Sequence, residues 1–302
     1  MTGLREGTAA ELVRARVPFV RATVVRAQHP TSSHAGDTAL VRADGTIEGF
    51  VGGTCAESSV REYGLRVLQA GQPLLLRIVP GDASVGAEPG AVTVANPCLS
   101  GGAMEIFLEP RLPAPRVVVV GDTPIAHALA ALGQPLGFAV ELSGGDVDLH
   151  PDDAALVVAS HGRGEEQALT AALRAGLPYV GLVASRTRGS AVLGSLDVPD
   201  ELRARVHSPA GLDLGGGTAA EIALSILAEL VAERRAAVRA SSSPVEQATA
   251  VDPVCGMTVA AVPASVHLET DDGARWFCCT GCRDAYAADP TRHVPACHVP
   301  AS

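Results

Sequence analysis

Arg116-Val-Val-Val-Val-Gly121-Asp-Thr-Pro124 decides the fold class. Four valines in a row lack any apolar–polar alternation, so a strand built from them needs cover on both faces, as in a parallel sheet between helices. Residues 125–136 then read as a helix and Phe138-Ala-Val-Glu-Leu142 as a second strand, the opening βαβ of a Rossmann-like domain. Leu156-Val-Val-Ala-Ser-His161 is a third strand, a helix follows over 165–175, and Tyr179-Val-Gly-Leu-Val-Ala184 is a fourth. Open sheets of this kind bind ligands at the carboxyl ends of their strands. That rule singles out Gly121, His161 and the pair Arg186 and Arg188, which can hold a phosphate or carboxylate or simply lie in a solvated loop. Thr218-Ala-Ala-Glu221 is a capping box before a long amphipathic helix, with Ile222, Ile226, Leu227, Leu230 and Val231 on one face and Arg234-Arg235 at its end.

The dinucleotide fingerprint is incomplete. Where Gly-x-Gly-x-x-Gly is expected the chain has Gly121-Asp-Thr123-Pro-Ile-Ala126, and Asp122 sets negative charge where a pyrophosphate would lie. Asp146 is the nearest acid for a ribose. An NAD(P)-dependent oxidoreductase on this half is the enzymatic alternative.

Pro110, Pro113 and Pro115 mark a boundary on the amino-terminal side. Before it lie a short helix opened by the capping box Thr8-Ala-Ala-Glu11, a strand over 19–26, and a hairpin over 40–47 with Asp44-Gly45 as a type I′ turn. A helix over 57–70, closed by Gly71, and strands over 74–79 and 104–109 complete a small α/β domain. Two loops stand out at element ends: Gly52-Gly-Thr-Cys-Ala-Glu57 and Asn96-Pro-Cys-Leu-Ser-Gly-Gly102. Their glycines (Gly52, Gly53, Gly101, Gly102) let the backbone approach an anion or a flat ligand, and a thiolate at Cys55 or Cys98 can bind a soft metal or attack sulfur. Taken singly, each cysteine also reads as a small buried hydrophobe.

Residues 236–250, with Ser241-Ser-Ser-Pro244, read as a flexible linker. Five of the seven cysteines follow it. Asp252-Pro-Val-Cys-Gly-Met257 and Trp276-Phe-Cys-Cys-Thr-Gly-Cys282 flank a hairpin turning at Asp272-Gly273. So small a module has little core, and a bound metal is a common remedy. Cys255, Cys278 and Cys282, with Cys279, His293 or Cys297 as a fourth ligand, suit Zn²⁺ or Cu⁺; disulfides are the alternative.

The totals exclude several functions. A formal charge of −10 over 302 residues disfavours a sequence-independent grip on nucleic acid or an anionic membrane. All 23 basic residues are arginine, and without lysine neither a Walker A loop nor a pyridoxal Schiff base can form. The start of the chain has no apolar signal-peptide core, and the apolar run over 117–140 is broken by glycine, proline and Asp122, so a cytoplasmic protein without a membrane span is expected.

From about residue 10 to 235 the chain resembles the XdhC/CoxI family of accessory factors for molybdenum hydroxylases. The resemblance is carried by Ala22-Thr-Val-Val-Arg26, both Gly-Cys blocks, Tyr179-Val-Gly-Leu-Val-Ala-Ser-Arg186, Val206-His-Ser-Pro-Ala-Gly-Leu-Asp-Leu214 and Glu221-Ile-Ala-Leu-Ser-Ile-Leu-Ala-Glu229. Residues 251–295 resemble a YHS domain. The resemblance implies three parts: an amino-terminal domain over 1–110, a Rossmann-like domain over 114–235, and a YHS-like metal-binding module over 251–298. It implies a non-catalytic maturation chaperone that binds molybdenum cofactor transiently, supports its sulfuration and delivers it to an apo-hydroxylase of the xanthine dehydrogenase or carbon monoxide dehydrogenase type. A cysteine desulfurase as sulfur donor and a homodimer are the expected partners. Cys98 and Cys55 would contact molybdenum or its sulfur, and Gly52, Gly53, Gly101 and Gly102 would admit the pterin. Glu57, Ser100, Gly121, His161 and Arg186 complete the cofactor set, with no catalytic residue. A soft-metal-binding protein acting through its tail is the third possibility.

Overall fold

A computed structural model describes residues 6–81, 86–96, 102–144, 147–215, 217–240 and 248–293. Asp146, Cys297 and the stretch from Pro97 to Gly101, with Cys98 and Ser100, lie outside the described residues. The chain forms two compact units, one of residues 1–113 with 246–302, the other of residues 114–245.

The first unit holds a mixed seven-stranded sheet. Its strands are β1 (Phe19–Gln28), β2 (Thr38–Arg42), β3 (Ile47–Gly49), β4 (Leu74–Pro80), β5 (Gly86–Glu88), β6 (Ala91–Asn96) and β7 (Ala103–Arg111), in the order β3-β2-β1-β7-β4-β6-β5. Alternation along β1 sends Val20, Ala22 and Val24 into one core with Leu76, Ile78, Ile106 and Leu108, and sends Phe19 to a smaller cluster with Leu12 and Leu40. Each fully buried aliphatic side chain contributes about 2 kcal/mol. Helix α1 (Glu6–Arg14) already includes Thr8, so the expected cap lies inside the helix. Among described non-glycine residues only Arg16 and His161 have positive φ. Asp44 therefore cannot sit in a type I′ turn; instead Gly45 N–H donates to Arg42 C=O and Arg42 N–H to Thr46 C=O, a longer loop with Gly45 at φ 84°.

Helix α2 (Thr54–Ala70) covers the larger core and ends at Gly71, φ 63°. It begins earlier than expected, so Cys55 belongs to the first helical turn and not to a loop. Gly64 lets the helix close on β2, because a Cβ there would stand 3.1 Å from Val41. The tail supplies two hairpins, β13 (Thr249–Val251) with β14 (Thr258–Ala260) and β15 (Val266–Thr270) with β16 (Gly273–Phe277). A last helix, here named αC, spans Thr280–Ala288. Strand β14 packs on α2, and Val262 abuts Gly45, so the tail belongs to the first unit.

The second unit is an all-parallel sheet of β8 (Arg116–Val120), β9 (Ala139–Ser143), β10 (Ala155–Val158), β11 (Tyr179–Leu182) and β12 (Val206–His207), ordered β12-β11-β10-β8-β9. Its helices are α3 (Pro124–Gly133), α4 (Glu165–Ala175), α5 (Arg186–Ser195), α6 (Asp200–Arg203) and α7 (Ala219–Ala240). Val117 and Val119 face the core containing residues of α3 and α7, while Val118 and Val120 face the α4 side, which is why the strand is apolar throughout. Helix α3 stops at Gly133, short of 136, and a 3-10 turn carries Pro135. Thr218 and Glu221 form the capping box: Thr218 N–H donates to Glu221 Oε2 at 2.6 Å and Glu221 N–H to Thr218 Oγ1 at 3.3 Å. Val231 is exposed, off the buried stripe of Ile226, Leu227 and Leu230. The expected linker is shorter at both ends, since α7 runs to Ala240 and β13 starts at Thr249. Here helical propensity of the alanine- and arginine-rich run carries the helix on.

Candidate functional site

In the first unit, a cavity of about 460 Å³ lies at the start of α2. It is lined by His29, Thr31, Gly53, Cys55, Asn96 and Gly102 among others, and among the described residues no lining residue is acidic although the chain carries a charge of −10. Gly53 is the N-cap of α2 and has no side chain to cap it, and the positive end of the helix dipole at this start favours an anion. Asn96 and Gly102, the described residues on either side of 97–101, both line this cavity.

The glycines have different tasks. A Cβ on Gly53 would meet nothing within 4 Å, which leaves its backbone open. On Gly102 a Cβ would stand 2.2 Å from the Pro30 carbonyl oxygen, so this glycine serves a backbone crossing. Gly52 has φ 139° and packs against Met104. Glu57 is not among the cavity residues; it sits in the first turn of α2, where its charge interacts with Arg61.

Cys55 also belongs to a cluster of thiols. Its sulfur, with those of Cys278 and Cys279, forms one group whose ligand atoms all lie within 4.8 Å of one another. Asp252, Cys255, Cys278 and Cys282 form a second such group. Cys255 Sγ lies 3.6 Å and Cys282 Sγ 3.7 Å from Cys278 Sγ. Those spacings exceed a disulfide bond of about 2.05 Å and are close to the edge of about 3.8 Å in a tetrahedron of thiolates around zinc. Each segment is held in place locally. Asp252 is fully buried and accepts N–H bonds from Cys278 (2.8 Å), Val254 (2.9 Å) and Cys255 (3.4 Å). Cys279 is the N-cap of αC, and Cys282 lies in its first turn. Hydrogen bonding with Cys278 holds the Cys255 thiol below its usual range. Hydrogen bonds with Cys255 and Cys55, together with burial, push Cys278 up, and burial beside Asp252 and Cys255 raises Cys282. Among the described residues His293 joins neither group, and its ring lies tilted toward Tyr286 with centroids 6.3 Å apart.

In the second unit, His161 and Arg186 line a cavity of about 580 Å³ at the carboxyl ends of β10 and β11. Residues 185–188 are not a solvated loop: Ser185 caps α5 and Arg188 is committed to Glu165, with contacts of 2.6 and 3.0 Å. Burial alone would raise the Glu165 pKa, but Arg188 and the Gly162 N–H outweigh it and hold the carboxyl below its usual range. Arg186 is exposed, 3.7 Å from Asp213. His161 has φ 53°, a strained value for a residue with a side chain. Gly121, φ 125°, is spent on packing, since its Cβ would stand 2.5 Å from the Ala159 carbonyl oxygen. Thr123 caps α3, Pro124 has no N–H, and Asp122 pairs with His127 at 2.7 Å. None of these favours a pyrophosphate at that helix. A network unmarked in the sequence holds the loop after β12. Glu229 Oε2 accepts from Tyr179 O–H at 2.6 Å and Gly211 N–H at 2.9 Å, and His207 stacks on Tyr179.

Residues 12–79 match the XdhC and CoxI family, and residues 117–230 match the XdhC Rossmann domain. The chain matches the XdhC family in both domains. Among curated proteins it is similar to the uncharacterized protein YqeB of Escherichia coli (strain K12), 30% identical over 253 residues, covering 74% of this chain and 45% of that protein. It is also similar to a probable xanthine dehydrogenase subunit of Bacillus subtilis (strain 168), 24% identical over 156 residues, covering 43% of this chain and 46% of that protein. The chain thus spans about half the length of the curated relatives it matches. A solved structure described as a xanthine dehydrogenase from Bacillus halodurans aligns at a TM-score of 0.39 and 18% identity, over 77% of this chain and 97% of that one.

Within the XdhC-matched spans lie Cys55 with its cavity-lining neighbours on α2, and the second cavity's residues His161 and Arg186. The tail cysteines lie outside both spans. Sequence spacing groups Cys255, Cys278, Cys279 and Cys282 but misses Asp252 and the arrival of Cys55. An Asp directly before a turn is the local signal for the first; nothing local signals the second. No described helix is long and apolar enough to cross a membrane.

Proposed function

We propose that this chain is an XdhC-type accessory factor. It would hold molybdenum cofactor as cargo in the cavity at the start of α2, support its sulfuration, and pass it to an apo-hydroxylase of the xanthine dehydrogenase or carbon monoxide dehydrogenase type. One observation carries the reading: a thiol, an open glycine and a helix start share a cavity whose described lining holds no carboxylate, inside the domain that matches the family. The B. subtilis relative's name supports the same client class. The cargo is an anionic phosphate ester with a flat pterin and a metal bound through sulfur. Helix N–H groups suit the phosphate, Gly53 leaves room for a ring, and Cys55 offers a soft donor. Cys98 is proposed as the second donor. A cysteine desulfurase would supply sulfur, a homodimer is the proposed assembly, and the cytoplasm keeps such thiols reduced. The YHS-like tail is proposed as a metal-binding addition to this role.

The test is molybdenum and pterin retained per chain after purification from cofactor-producing cells. Cys98→Ala and Cys55→Ala are each expected to retain the cofactor about tenfold more weakly or worse, a loss of about 1.4 kcal/mol. Retention like the unaltered chain's in both variants would remove the thiols from the role.

A further inference from the structure

We propose that Cys55 is a ligand of the tail's metal site, so that one thiolate site for a soft d10 cation is assembled from the amino-terminal domain and the tail together. The described cysteines of the first unit, Cys55, Cys255, Cys278, Cys279 and Cys282, fall into two sets of three thiols that share Cys278. Side chains placed for packing alone would be sealed in hydrocarbon; only Cys278 is buried and the other four are partly open. Three backbone segments converge here by separate devices: the start of α2, the turn fixed by Asp252, and the β16–αC junction. The Asp252 oxygens are engaged by backbone N–H groups, so sulfur dominates the donor set. An all-sulfur set selects zinc or monovalent copper over magnesium, calcium or manganese.

The two cations predict different fillings. Zn²⁺ wants four donors around one ion. Cu⁺ accepts three, and two sets joined through the Cys278 sulfur would take two ions. The second copper ion claims Cys55 outright and a single zinc claims it by taking its sulfur in place of the Asp252 oxygen, while Cys55 also lines the cavity. The consequence, that cation and cargo draw on one sulfur, rests on the proposed function; the metal site itself does not.

The experiment uses the reduced full-length chain from cells grown without molybdate, titrated with Cu⁺ and separately with Zn²⁺ against a chromophoric competitor. The unaltered chain is expected to hold at least one of the two ions. Cys55→Ser and, independently, Cys279→Ser are expected to lose one ion of two or to bind at least about tenfold more weakly, while circular dichroism stays unchanged. Loss in both variants with two copper ions, or Cys55-dependent binding of one zinc, each supports the site. A chain that holds neither ion, or a Cys55→Ser chain with unaltered stoichiometry and affinity, overturns it. Because no molybdenum is present, failure here leaves cofactor retention to be decided separately.

Discussion

Asp252→Ala is expected to unfold the tail at temperatures where the unaltered chain keeps it folded. The carboxylate has no exposed surface and receives the backbone N–H groups of Cys278, Val254 and Cys255. Deleting it leaves these donors buried and unpaired at about 1–3 kcal/mol each, so a total of about 3–5 kcal/mol is expected. A module this small has little reserve. Trp276, the only tryptophan in the chain, lies on β16, so its fluorescence reports tail unfolding in urea. Asp252→Asn, which keeps one acceptor oxygen, should fall between. The pH dependence has a definite sign. Burial raises the Asp252 pKa, but the Cys278 and Val254 N–H groups outweigh it and the folded value lies below 3.8. Its contribution is therefore complete above the unfolded pKa of about 3.9 and fades as pH falls through the folded value. The unaltered chain and Asp252→Ala should converge in acid and diverge at neutral pH.

Gly121→Ala is the second large effect. The new Cβ would stand 2.5 Å from the Ala159 carbonyl oxygen and 2.9 Å from Ser160 Cα, both backbone atoms that cannot swing aside, at φ 125°. Overpacking costs about 1–3 kcal/mol and the strained backbone about 1–3 more. A loss of at least about 3 kcal/mol is expected in thermal unfolding followed by circular dichroism. Gly137→Ala is the control: φ is 81° but nothing lies within 4 Å, so strain acts alone and the loss should be about 1 kcal/mol. Equal effects at the two positions would show that Gly121 is not a packing residue, and would reopen that crevice to a phosphate.

The Rossmann sheet is legible in the sequence because the signal is local. Four valines, a helix and a second strand fix a βαβ unit without reference to the rest of the chain. Helix 165–175 and the capping box at Thr218 are legible for the same reason, since their stop and start chemistry lies within four residues. What escapes is non-local or ambiguous. The Gly52-Gly53 pair looks like a loop, yet Gly53 caps α2 and Cys55 is helical. The Arg186/Arg188 pair looks like an anion clamp, but its second member answers a buried Glu165 on another helix. The seating of the tail on α2 brings together residues some 200 positions apart, through a β14 too short to advertise its partner. Spacing alone therefore separates the Gly-Cys loops from the tail cysteines, whereas Cys55 belongs to both groups.

That shared thiol is most directly tested by mild, stepwise oxidation of the dilute full-length chain, with disulfides mapped by peptide mass spectrometry. Sulfurs within 4.8 Å should couple, so a Cys55–Cys278 or Cys55–Cys279 bridge is predicted among the first products. If Cys55 stays open to alkylation while the tail cysteines pair only with one another, the cavity and the thiol cluster do not meet.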